Sequence, residues 1–104
     1  MKIAMTILGL TLIPFTVFAQ RLNPSCVMGL LDRGYSIDNG YVRRACSGKY
    51  DTDLLLKLVN RGFSVESGYT LEACSGKYDS SCVMELVKRG NSLESGSIFS
   101  ICLK

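Results

Sequence analysis

The chain repeats itself every 28 residues, and that period constrains the fold more than any other feature of its sequence. Cys46, Cys74 and Cys102 fall in line, as do the pairs Arg33-Gly34, Arg61-Gly62 and Arg89-Gly90. The segment Ser47-Gly48-Lys49-Tyr50-Asp51 recurs letter for letter as Ser75-Gly76-Lys77-Tyr78-Asp79. A fixed period of this size is the signature of stacked supersecondary units, none of which can bury its apolar face alone.

The first residues read differently from the rest. Met1-Lys2 is a short positive start, and 3–18 is almost wholly apolar. Val17-Phe18-Ala19 then offers a cleavage site, so 1–19 is expected to be a secretory signal peptide. A membrane anchor is the competing reading. The apolar run falls short of the ~20 residues a spanning helix needs, and Pro14 interrupts it. Stable membrane insertion is therefore not expected after cleavage. Residues 20–104 remain as a single domain, with units over about 23–50, 51–78 and 79–104. Losing Lys2 takes the formal charge from +3 to +2. That balance, with basic residues spread along the units and not clustered, argues against a nucleic-acid partner. Export, to a secreted or periplasmic location, would place the five Cys where disulfides are the ordinary fate of thiols in a small domain.

Within a unit the residues mark two helices. Asn23, Asp51 and Asp79 are helix N-caps, and Pro24 suits the first helical position. An apolar residue before each cap (Leu22, Tyr50, Tyr78) stands five residues ahead of Val27, Leu55 and Val83, the spacing of a hydrophobic staple. Leu30 and Leu31, Leu58 and Val59, Leu86 and Val87 continue the stripe, which Met28, Leu56 and Met84 widen into an inner helix with little exposed surface. Gly34, Gly62 and Gly90 end these helices, each after an Arg that suits the negative end of the helix dipole. A shorter second helix follows, with Asn39, Ser67 and Ser95 as caps and 41–46, 69–74 and 97–102 as bodies. The expected fold is all-α: three 28-residue helical hairpins stacked as a short, disulfide-stapled solenoid.

Two families share parts of this rhythm. The run Gly68-Tyr69-Thr70-Leu71-Glu72-Ala73-Cys74-Ser75-Gly76, with Leu54 to Gly62 before it and Phe63-Ser64-Val65 between, resembles ankyrin repeats. In that family a Gly-x-Thr opens one helix and a Leu-rich helix ends in Gly before a Val. The ankyrin Thr-Pro-Leu-His signature is absent, and the period is about five residues short of the ankyrin value. The deficit falls between Gly62 and Gly68, so the ankyrin β-hairpin finger is expected to be missing. A second likeness is to exported Sel1-like repeats, in which two Cys are separated by seven residues, as Cys74 and Cys82 are.

The cysteines allow two pairings. Cys26–Cys46 and Cys82–Cys102 would treat the first and third units alike and leave Cys74 odd; this set is preferred because repeats should pair alike. Cys26–Cys46 with Cys74–Cys82 would instead leave Cys102 odd. A Cys46–Cys74 bond is disfavoured, because neighbouring parallel helices stand ~8–10 Å apart, too far for a disulfide. An odd thiol is either a buried, inert hydrophobe or an intermolecular bridge; the apolar neighbours Leu71 and Ala73 favour the first for Cys74. No metal or other cofactor is expected: the chain has no His, and no two Cys have the spacing of a structural zinc site.

Chemistry finds little footing. Without His the usual general base is missing. Ser47-Gly48-Lys49 and Ser75-Gly76-Lys77 read as helix ends, and Asp51 and Asp79 are accounted for as caps. No Cys-x-x-Cys motif points to thiol redox work. The chain is therefore not expected to be an enzyme. Two features fit binding. Arg33, Arg61 and Arg89 would form a ladder, one per unit, suited to an acidic partner. Ile98, Phe99, Ile101 and Leu103 make the last helix far more apolar than its counterparts, as core closure or as an interface. The expected function is exported, non-enzymatic protein binding, as an inhibitor, immunity or adaptor protein of the cell envelope. The alternative is a structural or host-directed secreted protein, in one form a disulfide-linked homodimer.

Overall fold

A computed structural model describes residues 21–104; the expected signal peptide lies outside the described residues. Each 28-residue period forms a nine-residue helix, a loop and a six-residue helix. The helices are α1 (Pro24–Asp32), α2 (Gly40–Ala45), α3 (Thr52–Asn60), α4 (Gly68–Ala73), α5 (Ser80–Lys88) and α6 (Ser97–Cys102). Among the described residues there are no strands, only an isolated antiparallel bridge between Tyr78 and Leu103.

Local chemistry repeats with the sequence. Asn23 Oδ1 accepts from the Ser25 and Cys26 amides at 3.0 and 3.3 Å. Asp51 and Asp79 accept from Leu54 and Cys82 at 3.1 and 3.0 Å. Each bond satisfies an amide that the first turn leaves without an intrahelical partner. The long helices stop where Gly34, Gly62 and Gly90 take φ of 96°, 98° and 96°, a left-handed conformation that other residues adopt only with strain. The loops then turn on a serine: Ser36, Ser64 and Ser92 Oγ accept from the amides two residues on, at 3.1, 3.0 and 3.1 Å. Asn39 and Ser67 cap α2 and α4, accepting from Tyr41 and Tyr69 at 2.7 and 3.2 Å.

The third period departs from this pattern. Leu93–Ser95 winds into a 3-10 turn, and Gly96 at φ 81° caps α6 without a side-chain bond. Ser95, expected as the cap, donates its hydroxyl to Ser92 O at 3.0 Å and meets the Ser97 amide only at 3.4 Å. The 3-10 turn moves the helix start one residue on, from the Gly96 position to Ser97.

Each pair of helices closes through one main-chain bond. The amides of Asn23, Asp51 and Asp79 donate to the carbonyls of Cys46, Cys74 and Cys102, all at 2.8 Å. These bonds hold the start of each long helix against the end of its short partner. The long helices also pack on one another, α1 on α3 and α3 on α5, and the 3-10 turn packs on α4 and α6. One continuous core results, built on Leu30, Val42, Leu55, Leu58, Val65, Val83, Leu93 and Ile98. Burying a Leu or Ile side chain contributes about 1.5–3 kcal/mol. Helix α3 sits in the middle and buries Leu54, Leu55 and Leu58.

The long helices are not inner helices throughout, contrary to the sequence expectation. Met28 is exposed, Leu56 and Met84 are half-buried, and Asp53 and Lys57 face solvent. The reason lies between periods. Leu56 lies over Gly29 of α1, where a Cβ would come within 2.7 Å of its Cδ1. Met28 has no earlier helix to cover among the described residues.

One core position is unsatisfied. Thr70 is fully buried and its Oγ1 has no hydrogen-bond partner, whereas Val42 and Ile98 occupy the equivalent positions. A buried hydroxyl without a partner costs about 1–3 kcal/mol. Thr70→Val is expected to raise stability by about 1 kcal/mol in urea unfolding; a loss of that size would show that the hydroxyl is satisfied in solution.

Candidate functional site

The cysteines sit where the hairpins close. Cys26 lies in the first turn of α1 and Cys46 caps the end of α2; they are disulfide-bonded with Cα atoms 5.4 Å apart. Cys82 and Cys102 repeat the arrangement between α5 and α6 at 5.5 Å. The cap-amide bonds from Asn23 and Asp79 to the Cys46 and Cys102 carbonyls already hold these backbones together, within the range a disulfide requires. Of the two pairings open from sequence, this is the one that treats the outer periods alike.

In the middle period the clasp from Asp51 to Cys74 is kept but the covalent bond is not. Leu54 stands at the position of Cys26 and Cys82, and it is buried. Cys74 is a free thiol, 1% exposed. Burial, reinforced by the Asp51 carboxylate, pushes this thiol up to about 12. It stays protonated at neutral pH and is a poor nucleophile. Its burial also keeps a second chain from reaching it while the fold is closed.

The three arginines of the ladder all cap the ends of long helices and are all exposed, but their contacts differ. Arg33 donates to Asn60 Oδ1 at 2.7 Å and to Gly29 O at 2.6 Å. Arg89 pairs with Glu85 at 2.9 Å. Among the described residues Arg61 makes neither kind of contact; Lys88 stands at the position of Asn60, so the side-chain acceptor is missing. Only Arg61 of the three presents its guanidinium without an intrachain partner.

The last helix divides between the two roles read from its sequence. Ile98 is buried in the core. Phe99 stacks on Tyr78 with ring centroids 4.9 Å apart, a pair worth about 0.5–1.5 kcal/mol beyond burial. Tyr78 in turn donates to Glu72 at 2.7 Å, and that bond, with burial and the carboxylate charge, raises its phenol above the usual range. Ile101 and Leu103 are left exposed. Thus two residues close the core and two remain on the surface.

Sequence reasoning missed the tyrosines. Tyr41 and Tyr69 occupy equivalent places on α2 and α4 and are 46% and 48% exposed. Their recurrence 28 residues apart was visible, but period alone does not tell an outward aromatic from a core one. A groove of about 420 Å³ runs between α3 and α5, lined by Asp51, Asp53, Lys57, Glu85 and Lys88 among others. Its mixed charge singles out no ligand. Among the described residues no three of His, Cys, Asp or Glu gather as metal ligands, and no helix is long and apolar enough to cross a membrane.

Searches with the whole chain found no matching family model, curated protein or solved structure. The likeness to ankyrin and Sel1-like repeats is accordingly one of sequence rhythm.

The middle period provides a direct check on these positions. Leu54→Cys is expected to form a third disulfide with Cys74, seen as loss of the single free thiol by mass spectrometry after alkylation. Closing a loop of 20 residues, as the existing bonds do, is worth about 3 kcal/mol before the lost leucine packing is counted. Two persistent thiols would show that the middle clasp differs from the outer ones. The thiol also sets a pH dependence. In the fold Cys74 titrates near 12 and otherwise near 9.0, so its contribution is complete below pH 9 and is lost as pH rises toward 12. The stability difference between wild type and Cys74→Ala should therefore shrink across that window by roughly 1 kcal/mol per pH unit. A flat difference in urea titrations would mean the thiol is not held protonated.

Proposed function

We propose that residues 23–104 form a three-unit helical solenoid, exported and disulfide-stapled, that binds another protein and carries out no catalysis. The stacked reading draws support from the bonds that recur in every period: the cap-amide clasp, the serine turn and the glycine helix end. Export is supported by the leader-like start of the sequence and by the two disulfides. An inhibitor, immunity or adaptor role in the cell envelope suits a small, rigid scaffold without reactive groups.

The observation that carries the binding reading is the pair Tyr41 and Tyr69. They project from equivalent positions of α2 and α4, and Arg43 and Arg44 follow the first of them on the same helix. Tyrosine and arginine are enriched at protein interfaces, where they act as anchors. The exposed half of each ring adds nothing to the fold, and its recurrence fits a surface that meets a partner. Arg61, free of intrachain contacts, would add an electrostatic contact if that partner is acidic.

The test is capture from the native envelope with the mature protein as bait, comparing wild type with Tyr41→Ala/Tyr69→Ala. A specific partner should be held by wild type and lose at least about tenfold in affinity with the double variant, while circular dichroism stays unchanged. A partner retained equally by both would move the binding surface elsewhere.

A further inference from the structure

The two ends of the helical stack leave bare what the interior covers. Met28 is 62% exposed and Ile37 53%. Their counterparts one and two periods on are covered: Leu56 and Met84 are half-buried, and Val65 and Leu93 fully buried. Leu56 meets Gly29 and the Val65 amide donates to Tyr35 Oη at 3.3 Å, so both positions face the preceding period. At the far end Ile101 is 65% exposed, whereas Ala45 and Ala73, at the same position, are buried. One end therefore carries the inserting half of an inter-period contact, and the other end an exposed apolar side chain.

The polar bonds between periods show that the two halves match. Arg33 donates to Asn60 at 2.7 Å, and Asn39 to Glu66 at 3.4 Å. Advancing the donors to the last period gives Arg89 and Ser95; moving the acceptors back to the first gives Asp32 and Asp38. Guanidinium would meet carboxylate, Arg89 turning from Glu85 to Asp32; the Ser95 hydroxyl is already donated to Ser92 O. Asp32, Asp38 and Arg89 are all exposed.

We infer that a second copy of this chain docks head to tail, its Met28–Ile37 end seated on the Arg89–Ile101 end of the first. The inference rests on the stacked-unit reading above. The contact joins two different surfaces, so it leaves one of each free and can extend beyond a dimer.

Sedimentation velocity on the mature protein tests it with two single-face variants, Ile37→Glu and Ile101→Glu. Both residues are exposed, so both variants should fold. Wild type should associate increasingly with concentration, and each variant alone should do so at least about tenfold more weakly. An equimolar mixture of the two should regain association but stop at two chains, because one intact face of each kind remains. A wild type that stays monomeric into the high micromolar range overturns the inference. So does a variant that still self-associates fully, since that indicates a two-fold contact through one face. The third disulfide in Leu54→Cys reports the unit equivalence separately, so failure of the docking and failure of the stacked reading can be told apart.

Discussion

Everything in this protein hangs on one main-chain hydrogen bond made three times. The amide of each long-helix cap donates to the carbonyl of the cysteine that ends the short helix, at 2.8 Å in every period. An N-cap amide lies outside the helix ladder and needs a partner when it is shielded from water, as does a helix-terminal carbonyl. Joining the two satisfies both and fixes where one helix begins relative to where the other stops. Side chains near those points then have little freedom. The disulfides Cys26–Cys46 and Cys82–Cys102 follow from that placement.

The middle period shows how far covalent and non-covalent closure can be exchanged. Leu54 and Cys74 sit at the positions of a disulfide and bury apolar surface in its stead. The exchange is reasonable there, because α3 packs against both α1 and α5. A chain of this size obtains only a few kcal/mol from its core. Disulfides are thus found in the two outer periods and are absent from the middle one. The same reasoning makes the protonated thiol of Cys74 a core residue and not a reactive one.

The binding readings share a logic. In a repeated architecture, a residue is informative when it breaks the pattern or when the pattern leaves it outside. Arg61 lacks the contacts of Arg33 and Arg89 because its neighbours differ. Met28, Ile37 and Ile101 are exposed where their counterparts in other periods are covered, while Tyr41 and Tyr69 are exposed because their helices turn that face outward. End residues speak to self-association; lateral ones speak to a different partner.

Much of this was legible in the sequence, because caps, glycine stops and apolar spacing are local and act within a few residues. Asn23, Asp51 and Asp79 announce their helices, and Gly34, Gly62 and Gly90 end them, before any tertiary contact is considered. The all-α class follows from the same signals. What sequence left open was set by contacts between segments distant along the chain. The choice of Cys82–Cys102 over Cys74–Cys82 needed the clasp from Asp79 to Cys102. The shift of the α6 N-cap from Ser95 to Gly96 needed the 3-10 turn before it. The division of the last helix into buried Ile98 and bare Ile101 needed the packed core. Local residues determine which helices form, since their bonds close within a turn; only the folded whole decides which faces meet, since burial depends on neighbours that the period places but does not identify.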